Sequence, residues 1–203
     1  MIGLRTLPAM FLGLACGLAS LPAQAQLLFQ TDAQTNTAAG RNQYGIATRF
    51  TADAATTLTQ IGVELDLAGN GNLNFFIFDS VTGSLLFETG SLAFTDDGMA
   101  FKLSSSFSFT LNPGTTYAIG ANTDVTATYA YVVPGGKSQN GINSLGGNQN
   151  AEGFLNPVLD GNLHSTDGVT QLYGTQDVPE PASLALLGIG LAGLAAARRR
   201  PGR

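Results

Sequence analysis

Between Tyr44 and Val133 the apolar positions recur with a period of two. Ile61, Val63, Leu65 and Leu67 share one parity, and Leu73, Phe75 and Ile77 repeat the pattern. Phe76 and Phe78 are apolar on the opposite parity, which marks a strand buried on both faces. Met99, Phe101 and Leu103 alternate, as do Phe107, Phe109 and Leu111, and Tyr117 and Ile119. Strict alternation at this density is the signature of β-strands. Outside the chain ends, no ten-residue stretch repeats apolar residues at i, i+3, i+4 and i+7, so no amphipathic helix is expected there.

Turn chemistry separates the runs. Gly69-Asn70-Gly71-Asn72, Asp79-Ser80-Val81-Thr82-Gly83, Asp96-Asp97-Gly98 and Asn112-Pro113-Gly114 each combine a residue that bonds its own backbone with a glycine free to take positive φ. Eight strands are predicted: 44–50, 57–67, 73–79, 84–88, 99–103, 106–111, 115–122 and 128–133. Short strands at such spacing predict an all-β, antiparallel two-sheet sandwich of jelly-roll-like type. Most of the 12 phenylalanines fall in these strands and supply its core.

From Pro134 to Gly168 the pattern stops. That stretch is rich in glycine and asparagine and holds few apolar anchors: Phe154, Leu155, Val158 and Leu159. It reads as a long loop segment, uncommon inside a compact domain. A binding loop, an irregular edge and a mobile stretch all fit it. Leu172 and Tyr173 suggest one last strand before a linker ending at Val178.

The two ends read as targeting segments. Arg5 precedes an apolar run from Leu7 to Leu21, and Ala23 and Ala25 occupy the −3 and −1 positions of a cut after residue 25. This is the layout of a secretory signal peptide, residues 1–25. At the other end, residues 182–197 are almost wholly apolar or glycine, and Arg198, Arg199 and Arg200 follow. The run is short against the roughly 20 residues of a comfortable span. The arginines act as a stop-transfer signal that stays cytoplasmic. The expected organisation is therefore an exported domain, 26–177, between a signal helix and a transmembrane helix, with the sorting segment at 178–203.

Pro179-Glu180-Pro181, one short span and a terminal arginine cluster resemble the PEP-CTERM sorting domain. The resemblance implies a Gram-negative bacterium that makes exopolysaccharide. It implies handling by exosortase, a membrane-embedded protease of transpeptidase type, with the inner membrane as an intermediate stop before the cell surface or exterior. Separately, Thr48-Arg49-Phe50-Thr51-Ala52, Phe75-Phe76-Ile77-Phe78-Asp79 and Leu111-Asn112-Pro113-Gly114-Thr115-Thr116-Tyr117 resemble exported β-sandwich modules of the choice-of-anchor type. Those are core and turn residues, so they imply fold and not activity.

Charge narrows the function. Only 11% of residues are charged, and five of the nine basic ones lie at the chain ends. Residues 26–178 keep Arg41, Arg49, Lys102 and Lys137 against thirteen acids, a net charge of −9. Such a surface repels phosphate backbones, so nucleic acid is not an expected partner. Cys16, the sole cysteine, leaves with the signal segment, which removes disulfides, thiolate metal sites and a cysteine nucleophile.

Little catalytic chemistry remains. His164 is the single histidine, no G-x-S-x-G elbow brings a serine to it, and a surface-loop residue is expected. A glycosidase needs only two carboxylates, but many acids here sit in turns, and Trp is absent. Tyr44, Tyr129 and Tyr131 are the aromatic faces that would stack on sugar in its place. Calcium is the ion best suited to the available oxygens, with Asp66, Asn70, Asn72, Asp96 and Asp97 as candidate ligands. Their spacing does not fit an EF-hand loop, and the same residue types are ordinary turn formers. No cofactor is therefore required. The expected function is non-enzymatic: a surface or matrix protein associated with extracellular polysaccharide. The alternative is a glycan hydrolase using paired carboxylates.

Overall fold

The computed structural model describes residues 25–176. The signal segment up to residue 24 and the sorting segment, with the helices expected in each, lie outside the described residues. Sixteen strands and no helix occur among the described residues. The first five are β1 (Gln26–Gln30), β2 (Asn36–Arg41), β3 (Tyr44–Ala52), β4 (Thr56–Leu67) and β5 (Gly71–Asp79). Then come β6 (Leu85–Glu88), β7 (Leu92–Phe94), β8 (Ala100–Leu103), β9 (Phe109–Leu111), β10 (Tyr117–Thr123) and β11 (Ala127–Val132). The last are β12 (Lys137–Gln139), β13 (Ile142–Glu152), β14 (Val158–Leu159), β15 (Asp167–Gly168) and β16 (Thr170–Gln176).

They form two eight-stranded antiparallel sheets facing each other as a sandwich. One runs β1-β16-β4-β11-β15, with β2 on β11 and both β8 and β9 on β4. The other runs β12-β13-β3-β10-β5-β6, with β7 on β5 and β14 on β13. The apolar parity read from the sequence is the inner face. Ile61, Val63, Leu65 and Leu67 of β4 meet Phe50, Phe75, Ile77 and Ile119 of the opposite sheet in one buried cluster. Phe76 and Phe78 of β5 are buried on the outer face, where Leu85 and Leu159 cover them. That explains why both parities of this strand are apolar.

In the first sheet β4 is shared. Its first half pairs with β16 and its last three residues with β11. Where these two partners diverge, Val169 bridges them: its N–H donates to Ala130 O and its carbonyl accepts from Glu64 N, both at 3.0 Å. Tyrosine hydroxyls close two further joints. Tyr129 donates across the core to the Ala121 carbonyl of the other sheet at 2.9 Å. Tyr117 accepts from Asn112 N at 2.8 Å, pinning the Asn112-Pro113-Gly114 turn onto its own strand.

The stretch 134–168 departs from the expected loop. It contains an eleven-residue strand, β13, which pairs with β3 from Ala52 back to Tyr44. Its free edge is then lined by its own flanks: β12, β14 and a bridge from Asn148 to His164. The hairpin joining β12 to β13 is Asn140-Gly141, both at positive φ (48° and 69°). This is the two-residue turn whose twist matches antiparallel strands. Between Ser144 and Asn148 the strand bulges, three residues facing Arg49 alone, with Gly146 at φ 67°. The segment is thus an irregular but paired edge.

Candidate functional site

The bulge and the returning flank leave the mouth of the sandwich open. A cleft of about 280 Å³ lies there. One wall is Ala38 and Arg41 from β2 with Tyr131 from β11, and the other is Asn148 and Asn150 from β13. Ile46 of β3 and the run His164, Ser165 and Thr166 complete the lining. Each wall belongs to a different sheet, so pairing of β2 to β11 and of β13 to β3 sets its width.

Hydrogen bonds fix the polar groups. Asn148 Nδ2 donates to the Thr166 carbonyl at 2.8 Å and to its hydroxyl. Asn150 Nδ2 donates to Asp160 Oδ2 at 3.1 Å and lies 2.8 Å from Nε2 of His164. These bonds decide the orientation of both amides. Among the described residues no donor reaches Oδ1 of Asn148 or of Asn150, though the two residues are only 3% and 6% exposed.

Behind Asn150 stands a linked group of three, two of them charged. The Arg41 guanidinium lies 4.7 Å from the centre of the Tyr44 ring, a cation–π contact. The Tyr44 hydroxyl donates to Asp160 Oδ2 at 3.5 Å. Burial pushes the Asp160 carboxyl up, but hydrogen bonds from the side chains and backbones of Asn150 and Asn162 outweigh it and hold the group below its ordinary value. Asp160 is therefore ionised at neutral pH. Burial, and then the charge of Asp160, push the Tyr44 hydroxyl up.

The aromatic candidates divide. Tyr131 lines the cleft and Tyr44 supports Arg41 beside it, whereas Tyr129 is fully buried in the core and presents no face to solvent. His164 is exposed, and Asn150 is the hydrogen-bonding partner of its ring among the described residues. Arg41, Asn148, Asn150 and Thr166 carry no role in the sequence reading. Their one sequence signal is the run Asn148-Gln149-Asn150 after two glycines, in a stretch read as loop.

The calcium candidates are spread over the end of β4 (Asp66), the start of β5 (Asn70, Asn72) and the turn before β8 (Asp96, Asp97). Asn70 accepts from Asp96 N at 2.9 Å, and Asn72 bonds Asp124 through its backbone and side-chain N–H groups at 2.6 Å each. Lys102, 3% exposed, is ion-paired with Asp97, and the charges of Asp66 and Asp96 act on its ammonium. Three of the five candidates thus surround a lysine. Among the described residues no three His, Cys, Asp or Glu side chains come together to hold a metal. Ala25 is exposed just ahead of β1, while Ala23, Pro179, Glu180, Pro181, Arg198, Arg199 and Arg200 lie outside the described residues.

A second buried carboxyl, Asp167 of β15, sits next to the cleft. Its Oδ2 accepts from Gly136 N and Ser144 Oγ, both at 2.7 Å, while Oδ1 has no partner among the described residues. Burial pushes this carboxyl above its ordinary value.

No curated protein matches the chain. Residues 177–200 match the model of the PEP-CTERM protein-sorting motif, and with that motif the chain is an exported protein sorted by an exosortase.

Proposed function

We propose that this is a non-enzymatic matrix protein that is exported, paused at the inner membrane by its tail and released into extracellular polysaccharide, where the sandwich is a resident binding module. The observation that carries the reading is the combination of the PEP-CTERM motif at 177–200 with a polar cleft whose lining contains no carboxylate. A glycan hydrolase needs an acid and a base or nucleophile on opposite sides of one bond. Asp160 and Asp167 border the cleft without lining it: Asp160 is committed to Asn150, Asn162 and Tyr44, and Asp167 to Gly136 and Ser144. The reading calls for no cofactor: Lys102 is ion-paired with Asp97 and lies within the field of Asp66 and Asp96, where a calcium ion would have to compete with its ammonium.

The tail supplies the sorting step. A run of sixteen residues, apolar but for Ser183 and three glycines, is marginal for a bilayer, but three arginines are costly to pull through, so the chain waits with Pro179–Pro181 at the membrane surface. Replacing Pro179, Glu180 and Pro181 by alanine should leave export intact and strand full-length protein in the inner membrane. Deleting 181–203 should free the domain into the periplasm. Cell fractionation with immunoblotting reads both. Wild-type size and yield of the triple variant outside the cell would remove the sorting role of these three residues.

A further inference from the structure

We infer that the cleft between β2, β11 and β13 binds a neutral sugar unit of a polysaccharide, held by the Oδ1 atoms of Asn148 and Asn150 on one wall and by Arg41 and Tyr131 on the other. The inference rests on the matrix-binding reading above and names the ligand class of the same site.

The two amides carry the argument. Each Nδ2 is used up inside the protein, which leaves each Oδ1 without a protein donor and open to solvent at the cleft, although both residues are otherwise more than nine-tenths buried. Both acceptors are held in place by the bonds that their amide groups make, so a ligand hydroxyl replaces water on them with no side chain left to order. The residues alternate along β13, so both side chains leave the same face and address neighbouring positions of one ligand. Across the gap, Arg41 offers N–H donors and Tyr131 an aromatic residue, with Ala38 and Ile46 as apolar surface. Acceptors, donors and apolar surface in a space this size match a ring that carries hydroxyls at its rim and C–H groups on its faces. The volume of about 280 Å³ lies at the lower end of ligand pockets, which run from roughly 300 to 1,000 Å³. One ring fits, and the rest of the polymer passes outside.

Charge chooses neutral over acidic sugar. The domain carries −9, which repels a polyanion at long range. Arg41 does not reverse this locally. Its guanidinium packs on the Tyr44 ring, and the ionised Asp160 beside that tyrosine offsets its positive charge. The guanidinium therefore acts as a fixed set of donors to hydroxyls.

The test uses the full chain in a non-ionic detergent. The probes are neutral gluco-, manno- and galacto-hexasaccharides and, beside them, hexa-uronates, titrated by calorimetry at low and high salt. At least one neutral series should bind, with little change between salt concentrations. Arg41→Met and Tyr131→Ala should each weaken it by roughly tenfold or more, the equivalent of one or two lost hydrogen bonds. Arg49→Met, which changes a different surface groove on the outer face of the second sheet, should bind as wild type. Circular dichroism of each variant establishes that it is folded. Tighter binding of the uronates would overturn the neutral-sugar assignment while leaving matrix binding in place. Equal binding by Arg41→Met and Tyr131→Ala would move the site elsewhere. If no probe bound, while fractionation still found the protein in the matrix, the cleft assignment would fall and matrix residence would stand.

Discussion

Tyr129→Phe removes one oxygen from the centre of the sandwich and nothing else. The ring of Tyr129 is fully buried, and its hydroxyl donates at 2.9 Å to the Ala121 carbonyl, so this one bond ties β11 of the first sheet to β10 of the second. Phenylalanine fills the same ring space and leaves no cavity of consequence. The loss is the hydrogen bond plus a carbonyl short of one partner, about 1–3 kcal/mol. At this size each kcal/mol lowers Tm by about 2–4 °C. A second signature separates this bond from generic softening. Burial pushes the Tyr129 hydroxyl well above its ordinary value, so the folded protein keeps the proton over a range where the unfolded chain releases it. Stability from this group is fully present below about pH 10 and is lost as pH rises past it, at up to about 1.4 kcal/mol per pH unit. Tyr129→Phe lacks that slope, so the difference between wild type and variant should be constant near pH 8 and should narrow above pH 10. Urea unfolding of residues 26–176 followed by far-UV circular dichroism measures both, since the chain has no tryptophan to report by fluorescence. A gap below 0.5 kcal/mol at pH 8, or one that stays flat through pH 11, would refute the cross-sheet role.

Asp167 gives the opposite test at acid pH. Its buried carboxyl has a raised value, so ionisation opposes folding: the penalty is absent below about pH 4 and grows as pH rises through the folded-state value. Asp167→Asn should therefore gain on wild type between pH 4 and neutrality in urea titrations, and a wild type that gains on the variant over that window would contradict it. Lys102 faces Val63 on the inner surface of the first sheet, and burial is the main cause that lowers its ammonium value. Its partner Asp97 is exposed and stays solvated when the lysine is removed. Lys102→Met should be neutral or stabilising by about 1–4 kcal/mol, whereas Lys102→Ala should cost stability through the cavity it leaves; thermal melts distinguish them.

The strands that were legible in the sequence are those that face the core. Every one of the eight expected runs contains an observed strand, because Ile61 through Leu67 or Leu73 through Ile77 has nowhere else to put its side chains. Apart from β1, whose fully buried Leu28 and Phe29 are adjacent and show no period, the strands that were missed bury little apolar surface. β2, Asn36–Arg41, has only two alanines to mark a period and leans on β11 for its place. β13 has Ser144, Asn148 and Asn150 at buried positions where a core strand would have Leu or Val. It is long because β3 offers an open edge, and it is polar because its far half lines the cleft. One local signal for it was present: Asn140-Gly141, the strongest short hairpin cue there is, joins β12 to β13. The candidate site was the least legible part for the same reason. Arg41, Tyr131 and Asn150 are far apart in sequence, and only the pairing of the two sheet edges brings them to one cleft.

The register also fixes how the cleft stands relative to the point where the chain leaves the sandwich. β1 and β16 are antiparallel neighbours, with Gln26 opposite Gly174 and Gly174 opposite Leu58. The chain therefore enters and leaves the sandwich at one end, the end that holds Thr56, which faces Gln176. The cleft is at the other end: its wall residue Arg41 is level with Ala127, which faces Leu67. Thr56 and Leu67 are the two ends of β4, eleven steps apart, or about 35 Å at the rise of a strand. Only a few residues separate Gln176 from Pro179, where the tail begins. The exit of the chain at Gln176 and the cleft thus lie toward opposite ends of β4. Under the proposed pause at the membrane, this separation keeps the cleft clear of the point of attachment. Neutral oligosaccharide should then bind the full chain and a chain ending at residue 178 with the same Kd, and a difference of about tenfold between the two would refute the separation.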